Sequence, residues 1–232
     1  MNKYGMATAA GLALTSLLLA QGLGDTYRAP AGKLIDAALA DNDGYAKLAY
    51  LCDRIGNRLS GSESLDKAIA WAADQMKKDG LENVVTPRVK VPHWVRGNES
   101  ASLVEPAKKP LTMLGLGGSI ATPKAGITAP VLVVGSFAEL DKKGRAEVEG
   151  KIVLYNAPYE GYGRTVAYRH GGASHAAAMG AVAVLVRSVT PLAMQIPHTG
   201  AMEYEPNAPK IPAAAVTIED ATLMQRLSDS GA

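Results

Sequence analysis

The chain has 232 residues, 47% hydrophobic and 20% charged, enough for one large domain or two ordinary ones around a buried core. Its 24 Lys and Arg offset 22 Asp and Glu to a formal charge of +2, and the charges are scattered, which excludes the basic footprint of a nucleic-acid binder. A single cysteine, Cys52, excludes an intrachain disulfide.

The N-terminus reads as a secretory signal peptide over residues 1–24. Lys3 precedes an uncharged run from Met6 to Ala20, followed by the small and polar stretch Ala20 to Gly24. The apolar core is shorter than the ~20 residues of a spanning helix, so export is expected, secreted or periplasmic, with an uncleaved anchor as the competing reading.

From Gly44 to Ile55 an apolar stripe of Leu48, Leu51, Cys52 and Ile55 predicts a helix ended by Gly56-Asn57. It places the Cys52 thiol on a buried face, with Arg54 pointing away and no neighbouring His, which is the pattern of a structural cysteine. A second helix follows, with Ser60 and Glu63 at capping-box spacing, a stripe of Leu65, Ile69, Ala72 and Met76, and Gly80 as its stop.

Val85, Pro87, Val89 and Val91 alternate with polar residues and predict an edge strand. Further strands are expected at Ser100 to Val104 and Leu111 to Leu114. The Gly-rich stretch Gly115 to Pro123 lacks the Lys-Ser/Thr ending of a phosphate loop and reads as a tight turn. Beyond it come a strand at Val131 to Phe137, a polar loop from Asp141 to Glu149, and a strand at Lys151 to Asn156.

The segment Arg164 to Ser188 has the strongest local pattern. Ala173, Ala176, Ala177 and Gly180 lie at helical spacing and give a narrow, flat face suited to close packing on a sheet. Gly180 stops that helix, and Ala181 to Val186 is an apolar run without alternation, as in a strand covered on both faces. A Pro-rich loop around Pro197 to Pro212, a strand at Ala213 to Ile218 and a helix from Glu219 complete a small α/β domain.

The four histidines, His93, His170, His175 and His198, are the candidates for metal or base chemistry. His170 and His175 stand about 140° apart around a helix and cannot share a metal. His93 beside Trp94 and His198 in a loop are accounted for by packing and backbone hydrogen bonds. Glu219 and Asp220 read as first-turn carboxylates. His-x-Asp, His-Glu-x-x-His and Gly-x-Ser-x-Gly patterns do not occur in the sequence.

Several segments taken together carry a resemblance: Arg54 to Ser62, Lys67 to Ile69, Asp79 to Glu82, Val91 to Gly97 and Leu114 to Gly117. Gly126 to Ala129, Gly150 to Val153, Arg164 to Val166, Ser188, Pro197 to Gly200 and Lys210 to Pro212 extend it. In these the chain resembles the N-terminal portion of the carboxypeptidase Q family (plasma glutamate carboxypeptidase-like), secreted co-catalytic zinc metallopeptidases. The resemblance implies an α/β fold in two parts: a partial zinc-peptidase domain over 42–122, two helices then strands, and an inserted protease-associated (PA) domain over 123–232. It implies two zinc ions, a metal-activated water with a Glu base that attacks small peptides, and a dimeric habit. The family's metal ligands lie in segments after the insert, so no catalytic, cofactor-binding or metal residue carries over to a position here, and no specifically bound zinc is expected of this chain. The expectation is a non-catalytic N-terminal portion of a peptidase; the alternative is a PA module that works by binding alone. No stable membrane association is expected once the leader is removed.

Overall fold

A computed structural model describes residue 22 and residues 24–231; the expected leader core at residues 6–20 lies outside the described residues. The chain divides into two compact units at the His93–Trp94 junction.

In the first unit residues 24–40 are helical. Asp43–Tyr50 forms α1, which runs into a π turn over Leu51–Ile55, closed by the Gly56 N–H donating to the Leu51 carbonyl five residues back. This turn corrects the expectation for Cys52, which is exposed. The wider turn breaks the angular step on which the predicted stripe depends, and Leu48 faces solvent as well. Helix α2, Glu63–Lys78, is capped by Ser62 rather than Ser60: the Ser62 hydroxyl accepts from the Leu65 N–H. Its end is a Schellman motif. Gly80 sits at φ 82°, and the Leu81 and Gly80 N–H groups return to the Met76 and Lys77 carbonyls. Lys47 joins α1 to the end of α2 through Asp43 and Asp79, each at 2.6 Å. Tyr50 stacks on Trp71 at 5.1 Å between centroids. The predicted edge strand at 85–91 is not formed. Residues 84–100 are irregular, and Val85, Val89 and Val91 are exposed; alternation alone does not make a strand where no neighbour offers a ladder.

The second unit opens with a hairpin of β1, Ala101–Leu103, and β2, Lys109–Leu111. The expected strand at Leu111 to Leu114 is two strands split at Thr112, because β3, Met113–Gly115, leaves the hairpin and pairs antiparallel with a later strand. The sheet then adds β4, Val131–Val134, β5, Ile152–Tyr155, β6, Ala183–Arg187, and β7, Ala213–Val216, in the order β3-β7-β6-β5-β4, with β4 to β7 parallel. The Gly-rich stretch before β4 is a turn, with Gly118 at φ 94° and the Ser119 N–H bonded to the Leu116 carbonyl.

Between β4 and β5 the expected polar loop is instead helix α3, Phe137–Val148, broken at Gly144. Its sequence hides it: only Leu140 and Val148 are buried, and the charges between them resemble a loop. The start signal is Ser136, whose hydroxyl accepts from the Glu139 N–H while the Glu139 carboxylate accepts from the Gly135 N–H. Helix α4, Tyr162–Ala178, follows β5 as predicted, and Gly180 ends it at φ 89°. Helix α5, Ile218–Asp229, follows β7 and is capped by Thr217.

Period-two alternation sorts the strands' side chains into two cores. On one face Val134, Val153, Tyr155, Val184, Val186 and Ala215 meet Leu140 of α3 and Ala173, Ala176 and Ala177 of α4. On the other, Val133, Leu154 and Val216 meet Ala221 and Met224 of α5, with Leu103 and Leu111 of the hairpin packed beside them. The small face of α4 lets its backbone come close: a Cβ on Gly172 would stand 2.8 Å from Cε2 of Tyr155.

Candidate functional site

Loops at the carboxyl ends of parallel strands are where open α/β sheets place binding sites, and in the second unit these loops form two hollows. One, about 330 Å³, lies beyond β4 and β5, lined by Gly135, Ser136, Ala157, Arg164, Thr165 and Tyr168. The other, about 410 Å³, lies along the loop after β6 and is lined by Thr190, Leu192, Met194, Ile196, His198 and Thr199.

The loop after β6 is held by a clamp built on Ser188. The Ser188 hydroxyl donates to the Ile196 carbonyl at 2.8 Å and accepts from the His198 N–H at 2.7 Å. The His198 ring Nδ1 faces the Val189 carbonyl, not the serine, so the two do not form a nucleophile and base pair. Thr199 Oγ1 donates to the Gly115 carbonyl at 3.0 Å, and the Gly200 carbonyl accepts from Gly117 at 2.8 Å. Pro197 to Gly200 is therefore a structural staple between the loop and β3.

Arg169 lies beneath that staple. It is 7% exposed, and its Nη2 donates to the Tyr162 hydroxyl at 2.7 Å, with the guanidinium 5.5 Å from the Tyr162 ring centroid. A Cβ on Gly200 would fall 2.6 Å from Arg169 Cζ, so any larger residue there requires the guanidinium to shift. Arg169 Nε and Nη1 have no hydrogen-bond partner among the described residues. Sequence reasoning passed over Arg169; its signal, an arginine on the face that α4 turns to the sheet side, needs the helix phase and the Gly200 backbone together.

The other histidines stand apart. His175 of α4 contacts Asp141 of α3 at 2.7 Å and stacks on Phe137 at 4.8 Å, while His170 reaches Glu203 at 3.7 Å. In the first unit, the His93 ring lies where a Cβ on Gly61 would be 3.0 Å away. Asp220 does more than favour a helix dipole. Buried at 5% exposure, it accepts from the Thr112 N–H at 2.9 Å and from the Lys109 ammonium, tying the hairpin to α5. Glu219 Oε1 accepts from the Gln195 N–H at 2.9 Å and holds that residue at φ 52°.

A pair of zinc ions needs convergent His, Asp and Glu donors. Among the described residues no three His, Cys, Asp or Glu side chains are grouped to hold an ion, and the imidazoles of His175 and His198 are spent on Asp141 and the Val189 carbonyl. The residues present do not fit a co-catalytic zinc pair. What this arrangement offers is two open hollows over the loop end of the sheet. Among the described residues no helix is long and apolar enough to cross a membrane.

The family model described as PA domain matches residues 118–224. Carboxypeptidase Q of Xenopus laevis is 52% identical over 209 residues, which is 89% of this chain and 44% of that protein. The Homo sapiens carboxypeptidase Q is 50% identical over 192 residues, 83% of this chain and 40% of that protein. Among solved structures, a peptidase M28 precursor from Shewanella amazonensis superposes with a TM-score of 0.84 at 34% identity, over 90% of this chain and 48% of its own. A zinc aminopeptidase from Bacillus subtilis shares the fold at a TM-score of 0.50 and 24% identity, over 78% of this chain and 40% of its own. The chain thus spans less than half the length of the relatives it matches.

Proposed function

We propose, from the premise that this chain belongs to the carboxypeptidase Q family and carries a PA domain, that it is the PA-bearing, non-catalytic portion of an exported peptidase of that family. In this reading the chain shapes and covers the place where small peptides are held. The ligands of the zinc ions, and the bond cleavage they promote, belong to segments outside it. The peptidase part is read as 42–122 and the PA part as 123–232, with residues 1–24 as leader and a homodimer as the assembly.

The observation that carries the reading is the likeness to carboxypeptidase Q across 89% of the chain, joined to a second unit whose histidines and buried carboxylates are engaged in holding loops and helices. Zinc supplies, in such peptidases, a polarised water for attack on a carbonyl; among the described residues no group of donors is placed to hold it. The chain's own contribution is positional. Ser188, His198 and Thr199 fix the loop after β6, and the apolar side chains of Leu192, Met194 and Ile196 are thereby displayed on a stiff support.

The alternative, a PA module that acts by binding alone, is favoured by the two hollows at the loop end of a closed core. Native mass spectrometry of the purified chain equilibrated with zinc separates a catalytic assignment from both. The reading expects no tightly held pair of ions, and two zinc ions retained per chain through desalting would overturn it.

A further inference from the structure

Seven asparagines occur in the sequence, and one of them, Asn98, begins an Asn-x-Ser triplet, Asn98-Glu99-Ser100, the acceptor pattern for N-linked glycans. The triplet lies in irregular backbone just before β1, in the compact unit that begins at Trp94.

Its middle residue is anchored and its outer two are free. Glu99 turns inward, where both carboxylate oxygens accept from Arg96 Nη1 at 2.7 Å and Oε2 accepts from the Gly115 N–H at 3.1 Å. Arg96 in turn donates to the Gly115 carbonyl at 2.9 Å. This clamp fixes the triplet against the end of β3. Asn98 and Ser100 are both exposed while Glu99 between them is half-buried. Neither Asn98 nor Ser100 makes a hydrogen bond to another described residue through its side chain or its backbone N–H. The carboxamide and the hydroxyl are therefore both exposed to an enzyme, on a segment outside any helix or strand.

We propose that Asn98 is an N-glycan acceptor, the single such site in the chain. The reaction is a group transfer from a lipid pyrophosphate-linked oligosaccharide. The Asn98 carboxamide nitrogen attacks the anomeric carbon, the N–C1 bond forms and the C1–O bond to pyrophosphate breaks. The lipid pyrophosphate leaves and one amide proton passes to the transferase's base. The site rests on the export reading, because the donor is met only across a membrane.

The test is expression of the full chain in a eukaryotic secretory host behind a cleavable foreign leader, with a parallel arm using its own residues 1–24. The expected result is one glycan per secreted chain, seen as a gel shift removed by peptide N-glycosidase. That shift is lost in Asn98→Gln and Ser100→Ala and kept in Ser100→Thr, which shows that loss comes from the triplet and not from misfolding. A secreted chain from the foreign leader with no glycan at Asn98 overturns the proposal. Retention of the own-leader arm inside the cell counts against the export reading alone, since the foreign-leader arm still decides the acceptor.

Discussion

Tyr155 of β5 and Gly172 of α4 set the spacing between the sheet and its covering helix: the phenol donates to the Gly172 carbonyl at 3.1 Å, and a Cβ on Gly172 would lie 2.8 Å from the ring. Gly172→Ala must therefore push the helix or the ring aside. Overpacking of this kind costs about 1–3 kcal/mol, and thermal unfolding should show Gly172→Ala less stable than wild type. Tyr155→Phe, which keeps the shape and loses one hydrogen bond, should cost about 1 kcal/mol.

The same phenol predicts an alkaline limit. Burial, with Asp141 and Tyr168 adding to it, raises the Tyr155 pKa well above the ordinary tyrosine range. Above about pH 10 the unfolded chain loses this proton while the folded chain keeps it. The contribution is therefore full below pH 10 and is lost as pH rises through the folded value. Denaturant titrations between pH 8 and 11 should show stability falling across the upper part of that range, and Tyr155→Phe should flatten the slope.

Arg169 and Gly200 make a second test. A buried guanidinium with unpartnered nitrogens is a cost to the fold, and an apolar replacement of similar length is neutral or stabilising in such places. Arg169→Met should match or exceed the wild-type stability in urea. Gly200→Ala, which drives a methyl into the guanidinium, should lower it by about 1–3 kcal/mol, and in the double variant most of that loss should be recovered.

The Asp220 carboxylate ties the hairpin to α5 through Lys109 and the Thr112 N–H, while its backbone N–H donates to the Thr217 cap. Asp220→Ala leaves the Thr112 N–H and the half-exposed Lys109 ammonium without their charged acceptor, at about 1.5–3 kcal/mol for the backbone bond and less for the solvent-screened lysine. Hydrogen exchange should then rise in β2 and at the start of α5 before it rises in β5 and β6.

Much of the second unit was legible because its signals are local. Gly180 stops α4, the unalternating run after it is β6, and Ala173, Ala176 and Ala177 mark the packed face. Two segments depart from the expectation for different reasons. Helix α3 buries only Leu140 and Val148, so its periodicity was too thin to see beside its charges, although Ser136 and Glu139 carried a capping signal. The 85–91 segment had the alternation of a strand and no partner. Cys52 was misplaced by a π turn, which leaves no mark in residue spacing. The staple at Pro197 to Gly200 was visible as a motif, but its physical work required knowing that Gly115, Ser188 and Arg169, distant in sequence, converge on it.

Limited proteolysis should read the unequal closure of the chain. Cleavage is expected first in the irregular 84–92 stretch, while the stretch from β3 onward resists, since β3 is laddered to β7. Protection that began only at Pro123 would show that β3 does not hold its place in the sheet.

The most direct measurement is hydrolysis of small dipeptides by the purified 232-residue chain, with zinc added and with zinc chelated. The predicted result is the same background rate in both conditions, because among the described residues no donors are grouped to hold a metal ion. A zinc-dependent turnover that scales with protein concentration and disappears on chelation would contradict the assignment of this chain as a non-catalytic portion of its family.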